Sequence, residues 1–366
     1  MSRDVIASVD VVSADIPLTD PFVISRGRIS VAEVAFVRLT LADGTCGFGE
    51  IAPFAALTGE TRDQSAADAK RLAATVVGRE AGSWWDIAAD LEVAAPDDPA
   101  ARAGLECALA DGLARARGVP LHALWAEHGG VADVRERETD VTLPMLDDAR
   151  VQALAESWVA RGFRTLKLKV GDPDLEKDIA RVESLARRHP RVDFILDANQ
   201  GYDRAAAATF VERLASLHDR IRLVEQPLAR DDIEGMASLC ASSPVAIAAD
   251  ESVFTVPDVQ RVIAAKAAHV VNLKIMKSGL AQTIEIARAA RDAGLGLMIG
   301  GMMETRLAMG VSFSLVLGFG GIDHLDLDTP LLMADDPWVG GYSYDGPRMR
   351  PSLAPGLGMR PKNPGF

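Results

Sequence analysis

Charged residues close a series of short apolar runs through the second half of this chain. Lys169, Asp197, Glu225, Asp250 and Lys274 do so at successive intervals of 28, 28, 25 and 24 residues. Each interval holds one strand, one helix and two loops, which is the repeat of a (β/α) barrel. In such a barrel the strand ends converge on one mouth, so side chains remote in sequence share a site. A barrel takes roughly 200 to 250 residues. The 366 residues of this chain therefore leave room for a smaller partner unit.

Eight strand candidates are TDVTL, RTLKLKV, VDFILDAN, RLVEQPL, VAIAADES, HVVNLKIM, GLMIGG and IDHLDLD. The helix expected after the first spans Asp147 to Arg161, with Val151, Leu154 and Trp158 on one face, acids at its start and Gly162 at its end. Pro173 suits the first turn of the next helix. Ahead of the barrel, Val5 to Leu41 reads as strands, VIASVDVVSADIPL and AEVAFVRLTLADG, joined by a polar loop through PFVISRGRIS, with Asp43-Gly44 as a turn, followed by GFGEIAPF. Alanine-rich helices are expected over about Thr61 to Val77 and Ala100 to Arg117, the second stopped by Gly118-Val119-Pro120. After Leu332 the Gly and Pro content excludes long helices, leaving a tail that packs on the N-terminal unit or is partly disordered. The expected division is 1–130 for an N-terminal α+β unit, 131–330 for the barrel and 331–366 for the C-terminal segment.

A net charge of −13, with no Lys/Arg cluster, argues against sequence-independent nucleic-acid binding. Cys46, Cys107 and Cys240 lack CxxC spacing, and the start MSRDVIASVD has no charged-then-apolar signal, so a cytoplasmic, disulfide-free protein is expected. Charges interrupt every apolar stretch well before the roughly 20 residues that span a bilayer, so no membrane role is expected. GxGxxG, GxxxxGK[ST] and HExxH motifs are absent, and the six His residues form no cluster.

Asp197, Glu225 and Asp250 put three hard oxygen donors at one rim, with no His or Cys beside them, which suits Mg²⁺. Any one of them alone would equally well cap a helix or make a salt bridge. Lys167 and Lys169, two residues apart on one strand, face the barrel interior, and Lys274 sits the same way four strands on. Buried lysines need a partner or a task. Either they neutralise the three acids, or they form a pair of bases. The second reading has a chemical rationale: removing a proton α to a carboxylate creates a dianion, whose charge a divalent cation and an ammonium can hold. The base must then be a neutral lysine, its pKa lowered by Lys167 and the metal.

The segments TLKLKVG, ILDANQGY, LVEQPL, AADES and VNLKIMKSG resemble the signature strands of the enolase superfamily, muconate-lactonizing subgroup. The resemblance covers the whole chain. It implies an α/β fold, a modified TIM (β/α) barrel with an α+β capping domain built from the N-terminal region and the C-terminal tail. It also implies one Mg²⁺ per subunit on Asp197, Glu225 and Asp250, with Lys169 and Lys274 as acid/base residues on opposite faces of the substrate carbon and Lys167 binding the carboxylate. A homo-oligomer is expected. The mandelate-racemase branch would place a His base on a later strand, and the seventh segment, GLMIGGMMETRL, has none.

The subgroup hosts muconate-type cycloisomerases, o-succinylbenzoate synthases, N-acylamino acid racemases and dipeptide epimerases, so fold and lysines do not choose among them. Asp326 and Asp328 in DLDTPLL lie two residues apart at the mouth with no basic neighbour in sequence, and would hold a cation such as a free ammonium. The pair is similar to the Asp-x-Asp of dipeptide epimerases, although either acid could instead cap the turn at Thr329-Pro330. By the same resemblance Thr142 and the backbone near Met302 are substrate contacts. The expected reaction is Mg-dependent epimerisation of L,L-dipeptides at the C-terminal residue's α-carbon, by two-lysine 1,1-proton transfer through an enediolate. PFVISRGRIS and IAPFAALTGE, near Phe54 and Leu57, are the expected specificity loops. Arg26 and Arg28 make Ala-Glu the first substrate to test, with solvated loop charges as the equal alternative. A non-catalytic metabolite binder that keeps the metal site is the rival from another class.

Overall fold

The computed structural model describes residues 4–24, 27–128 and 130–363. It opens on a three-stranded antiparallel sheet, Ile6–Ile24, Gly27–Leu41 and Cys46–Ile51. Pairing of the first two strands jumps from Pro17↔Val31 to Phe22↔Ile29. A shift of that kind bends a strand, and the hairpin end beyond it reaches the barrel, where Met145 N–H donates to Val23 O at 2.9 Å.

Helices Arg62–Val76, Trp84–Ala94 and Pro99–Ala116 pack behind the sheet. The first and third match the alanine-rich stretches; Trp84–Ala94 was not foreseen. Pro99–Ala116 is almost wholly buried and lies directly on the third strand. Glycine permits this: a Cβ at Gly49 would stand 2.0 Å from Gly104 O, and one at Gly47 2.1 Å from Ala108 O.

All eight barrel strands form, in sequence order and mutually parallel: Val141–Leu143, Thr165–Lys169, Asp193–Asp197, Ile221–Glu225, Ile247–Ala249, Val270–Leu273, Gly296–Ile299 and His324–Leu325. The two end strands meet through Asp140 N–H on Leu325 O at 2.9 Å and through Thr139, whose hydroxyl donates to Leu325 O and accepts from Leu327 N–H. Seven full helices separate the strands, while among the described residues only the one-turn Thr329–Leu332 follows the eighth. The helix after the first strand, Asp148–Ala160, is N-capped by Asp147 as expected. Pro173 instead stands just outside the next helix, Leu175–Arg188, whose N-cap is Asp174. The described residues of the tail form four short strands, and Trp338 packs edge-on against Phe36 and Phe48 of the N-terminal sheet. Buried Asp111 ties three segments together: it accepts from Phe48 N–H and Leu357 N–H and pairs with Arg115.

Further contacts fix the N-terminal sheet over the barrel mouth. Leu18 bridges Met333 after the eighth strand. Buried Glu50, on the third strand, accepts from Thr305 N–H, the Thr305 hydroxyl and Ala308 N–H, capping helix Arg306–Phe319 after the seventh barrel strand. No helix among the described residues is long and apolar enough to cross a membrane.

Candidate active site

Strand alternation buries Leu166 and Leu168 against the helices and turns Lys167 and Lys169 inward. Thr142, Lys167, Lys169, Lys274, Asp326 and Asp328 line a single cavity between barrel and N-terminal sheet, which Met302 also borders. Asp197, Glu225 and Asp250 stand behind its lysines. Lys167 Nζ lies 2.7 Å from Glu225 Oε2, 3.1 Å from Asp197 Oδ2 and 2.7 Å from Asp326 Oδ2. Lys169 Nζ donates to Asp197 Oδ2 at 2.5 Å and to Asn199 Oδ1 at 3.1 Å. Lys274 Nζ donates to Asp250 Oδ2 at 2.5 Å. Asp328 Oδ2 accepts from Thr142 N–H at 2.5 Å, and Met302 N–H is taken by Glu304 Oε1 at 2.7 Å.

Several residues at the site escaped the sequence reading. Lys277 is fully buried and donates to Asp250 O, Asp250 Oδ1 and Asn272 O. Its signal was a second lysine in the apolar run VNLKIMK. Asn199 holds Lys169, and Glu304 orders the Met302 backbone. Asp140, two residues before Thr142 on the same face, is buried with no hydrogen-bond donor at either carboxyl oxygen.

The electrostatics favour cations. Around Lys167, Lys169, Lys274 and Lys277 stand eight buried carboxyl groups: Asp140, Asp197, Glu225, Asp250, Glu251, Glu304, Asp326 and Asp328. Burial would raise the Asp197 pKa, but Lys169 and Lys167 hold it down at about 2. Asp250 is likewise held well below its ordinary value, with Lys274 and Lys277 outweighing burial. Acids less well paired go the other way. Burial and Asp197 push Glu225 up to about 7, burial and Asp326 push Asp328 up to about 7, and burial with Asp326 and Asp328 pushes Asp140 well above its ordinary value. At Lys274 burial disfavours the ammonium, but Asp250 and Glu225 outweigh burial and hold the pKa above its usual value.

The donors fit a hard divalent ion. Asp197, Glu225 and Asp250 offer oxygen alone, all buried, and Glu225 Oε2 receives no hydrogen bond of good geometry despite its ion pair with Lys167. Their carboxylates are engaged by lysines and are not gathered to one point. Among the described residues, Asp140, Asp326 and Asp328 are the acids whose oxygens all lie within 4.8 Å of one another.

Of the expected specificity residues, Phe54 and Leu57 line the cavity. Arg28 is exposed and borders a neighbouring groove, and Arg26 lies outside the described residues.

A capped parallel barrel with lysines and acids at these strand ends defines an enzyme of the enolase superfamily. Residues 6–125 match the N-terminal domain of the mandelate racemase/muconate lactonizing enzymes and residues 150–364 the enolase C-terminal domain-like family, so the chain belongs to this family. It is 39% identical to an aromatic dipeptide epimerase of Herpetosiphon aurantiacus over 97% of this chain and 98% of that protein. A substrate-liganded L-Ala-D/L-Glu epimerase from Bacillus subtilis superposes with a TM-score of 0.93 at 31% identity, covering 97% of this chain and 98% of the other. A dipeptide epimerase from Enterococcus faecalis, complexed with Mg and L-Leu-L-Tyr, superposes with a TM-score of 0.92 at 30% identity, covering 97% and 99%.

Proposed function

We propose that this enzyme epimerises L,L-dipeptides at the α-carbon of the C-terminal residue by 1,1-proton transfer between two lysines. The observation that carries the reading is the placement of Lys169 and Lys274, four strands apart, on one cavity that also exposes Asp326 and Asp328. Asp326 and Asp328 receive the free ammonium, a group that muconate, succinylbenzoate precursors and N-acylamino acids lack. Lys167 meets the substrate carboxylate. One of Lys169 and Lys274, as free amine, removes the α-proton, and the other, as ammonium, returns a proton to the opposite face, inverting that carbon only. One Mg²⁺ per subunit, held by Asp197, Glu225 and Asp250, would neutralise the negative charge that builds on the substrate carboxylate as the proton leaves.

The test is incubation with Mg²⁺ in D₂O and a set of L,L-dipeptides that includes Ala-Glu, read by mass spectrometry and chiral chromatography. One deuterium at the C-terminal α-carbon, with appearance of the L,D product, is the expected result. No deuterium in any dipeptide would leave the non-catalytic binder as the better reading.

A further inference from the structure

The relatives differ in the side chain they act on, so the choice must lie in what surrounds the reacting carbon of this chain. Its cavity has two chemically distinct halves. Lysines and acids come from the barrel; the first two N-terminal strands contribute Phe22, Ile24 and Ile29, the short helical segment after the third strand contributes Phe54 and Leu57, and the loop after the seventh barrel strand adds Met302 and Met303. Among the described residues, no Lys, Arg or His of the first 130 lines the cavity. The apolar wall extends to the reacting position: Lys169 Nζ lies 5.8 Å from the Phe22 ring centroid. Lys169 thus enters the cavity beside Phe22, on the apolar side.

Resting on the epimerase reading, we propose that the second residue of the dipeptide is apolar, aliphatic or aromatic, and that Phe22, Ile29, Phe54 and Leu57 select it. A glutamate there would lose its water against this wall, where no cation among the described N-terminal residues stands to receive it. A lysine or arginine would carry a positive charge into the same apolar surroundings. Arg28 does not alter this, because it faces the outer groove, which shares Ile29, Phe54 and Met303 with the cavity but not the lysines or the Asp pair. Each methylene matched or missed in an apolar pocket changes selectivity by about 10- to 200-fold.

The experiment compares kcat/KM for Ala-Phe, Ala-Leu, Ala-Glu and Ala-Lys with deuterium uptake in D₂O. Ala-Phe or Ala-Leu is expected to exceed Ala-Glu and Ala-Lys by at least about 100-fold. Exchange with Ala-Glu or Ala-Lys within about tenfold of the apolar pair overturns the inference and leaves the reaction standing; exchange with none of the four fails the reaction itself. Leu57 and Phe54 are only half-buried, so Leu57→Arg and, separately, Phe54→Lys test the wall in folded protein. Either is expected to shift the ratio toward Ala-Glu by about tenfold or more, and an unchanged ratio in both counts against the wall. Loss of Ala-Glu turnover in Arg28→Ala would place recognition in the outer groove and likewise overturn the inference.

Discussion

Lys167 Nζ and Asp326 Oδ2 are 2.7 Å apart, which joins the lysine proposed to meet a substrate carboxylate to an acid proposed to meet its amine. The two ends of a dipeptide would thus be read by groups already in contact. Neither can be replaced without disturbing the other, so tests of the amine site are cleaner at Asp328.

Asp328→Asn keeps an oxygen for Thr142 N–H while removing one negative charge. We expect a rise in KM for dipeptides of about 100-fold, the equivalent of roughly 3 kcal/mol for a buried charge-assisted contact. Turnover of N-acylamino acids should change little if those are the true substrates. Measuring both substrate classes with one variant separates an epimerase from a racemase.

The acid limb of kcat/KM should fall near pH 7 for dipeptides. Asp328 is pushed up to about 7 by burial and Asp326, and only its ionised form attracts the substrate ammonium, so binding strengthens as pH rises through that value. A pH–rate profile of Asp328→Asn that retains the same limb would assign it to another group.

Lys169→Ala and Lys274→Ala should each lower epimerisation by about 1,000-fold, within the range of a lost acid/base group. Each single variant keeps one lysine, and is expected to exchange the α-proton of one epimer but not the other. Symmetric loss of exchange for both epimers in both variants would argue against two independent bases.

Removal of divalent metal by a chelator should abolish turnover, with recovery on adding Mg²⁺. An independent readout is thermal: an ion that binds the native state at about 100 times its Kd adds about 2.7 kcal/mol of stability. Glu225→Gln is expected to lose that Mg²⁺-dependent increase in melting temperature.

Glu50→Ala leaves Thr305 N–H, the Thr305 hydroxyl and Ala308 N–H without their buried acceptor, at a cost of about 3 kcal/mol by urea denaturation. Burial pushes Glu50 up to about 8. An unfolded glutamate titrates near ~4.3, so the stability linked to this group is full below that pH and is lost as pH rises toward 8. Glu50→Gln should show a flatter stability profile over that window than the parent protein.

The strands carrying Lys167, Lys169, Asp197, Glu225, Asp250 and Lys274 were legible because each apolar run ends on a charge at a barrel interval. Period-two alternation then fixed which lysines faced inward. The Asp326–Asp328 pair came from the same rule, and the pair lines the cavity with them. Asp140 obeys that alternation too, but nothing local reports that both its oxygens would lack a donor. Lys277 lies one helical turn past Lys274, and its hold on Asp250 depends on a neighbouring strand.

Backbone periodicity acts within a few residues, so the chain alone specified a parallel barrel, its order of strands and the inward charges at one rim. Contacts formed through space settled the rest. The wall facing Lys169 comes from Phe22 to Leu57, more than 100 residues away, and exists only because the long hairpin bends at Pro17 and Phe22 and Glu50 clamps the sheet to the helix after the seventh strand. The lysine and carboxylate pKa values are likewise products of that enclosure, since burial and the charges gathered around each group, not its neighbours in sequence, set them.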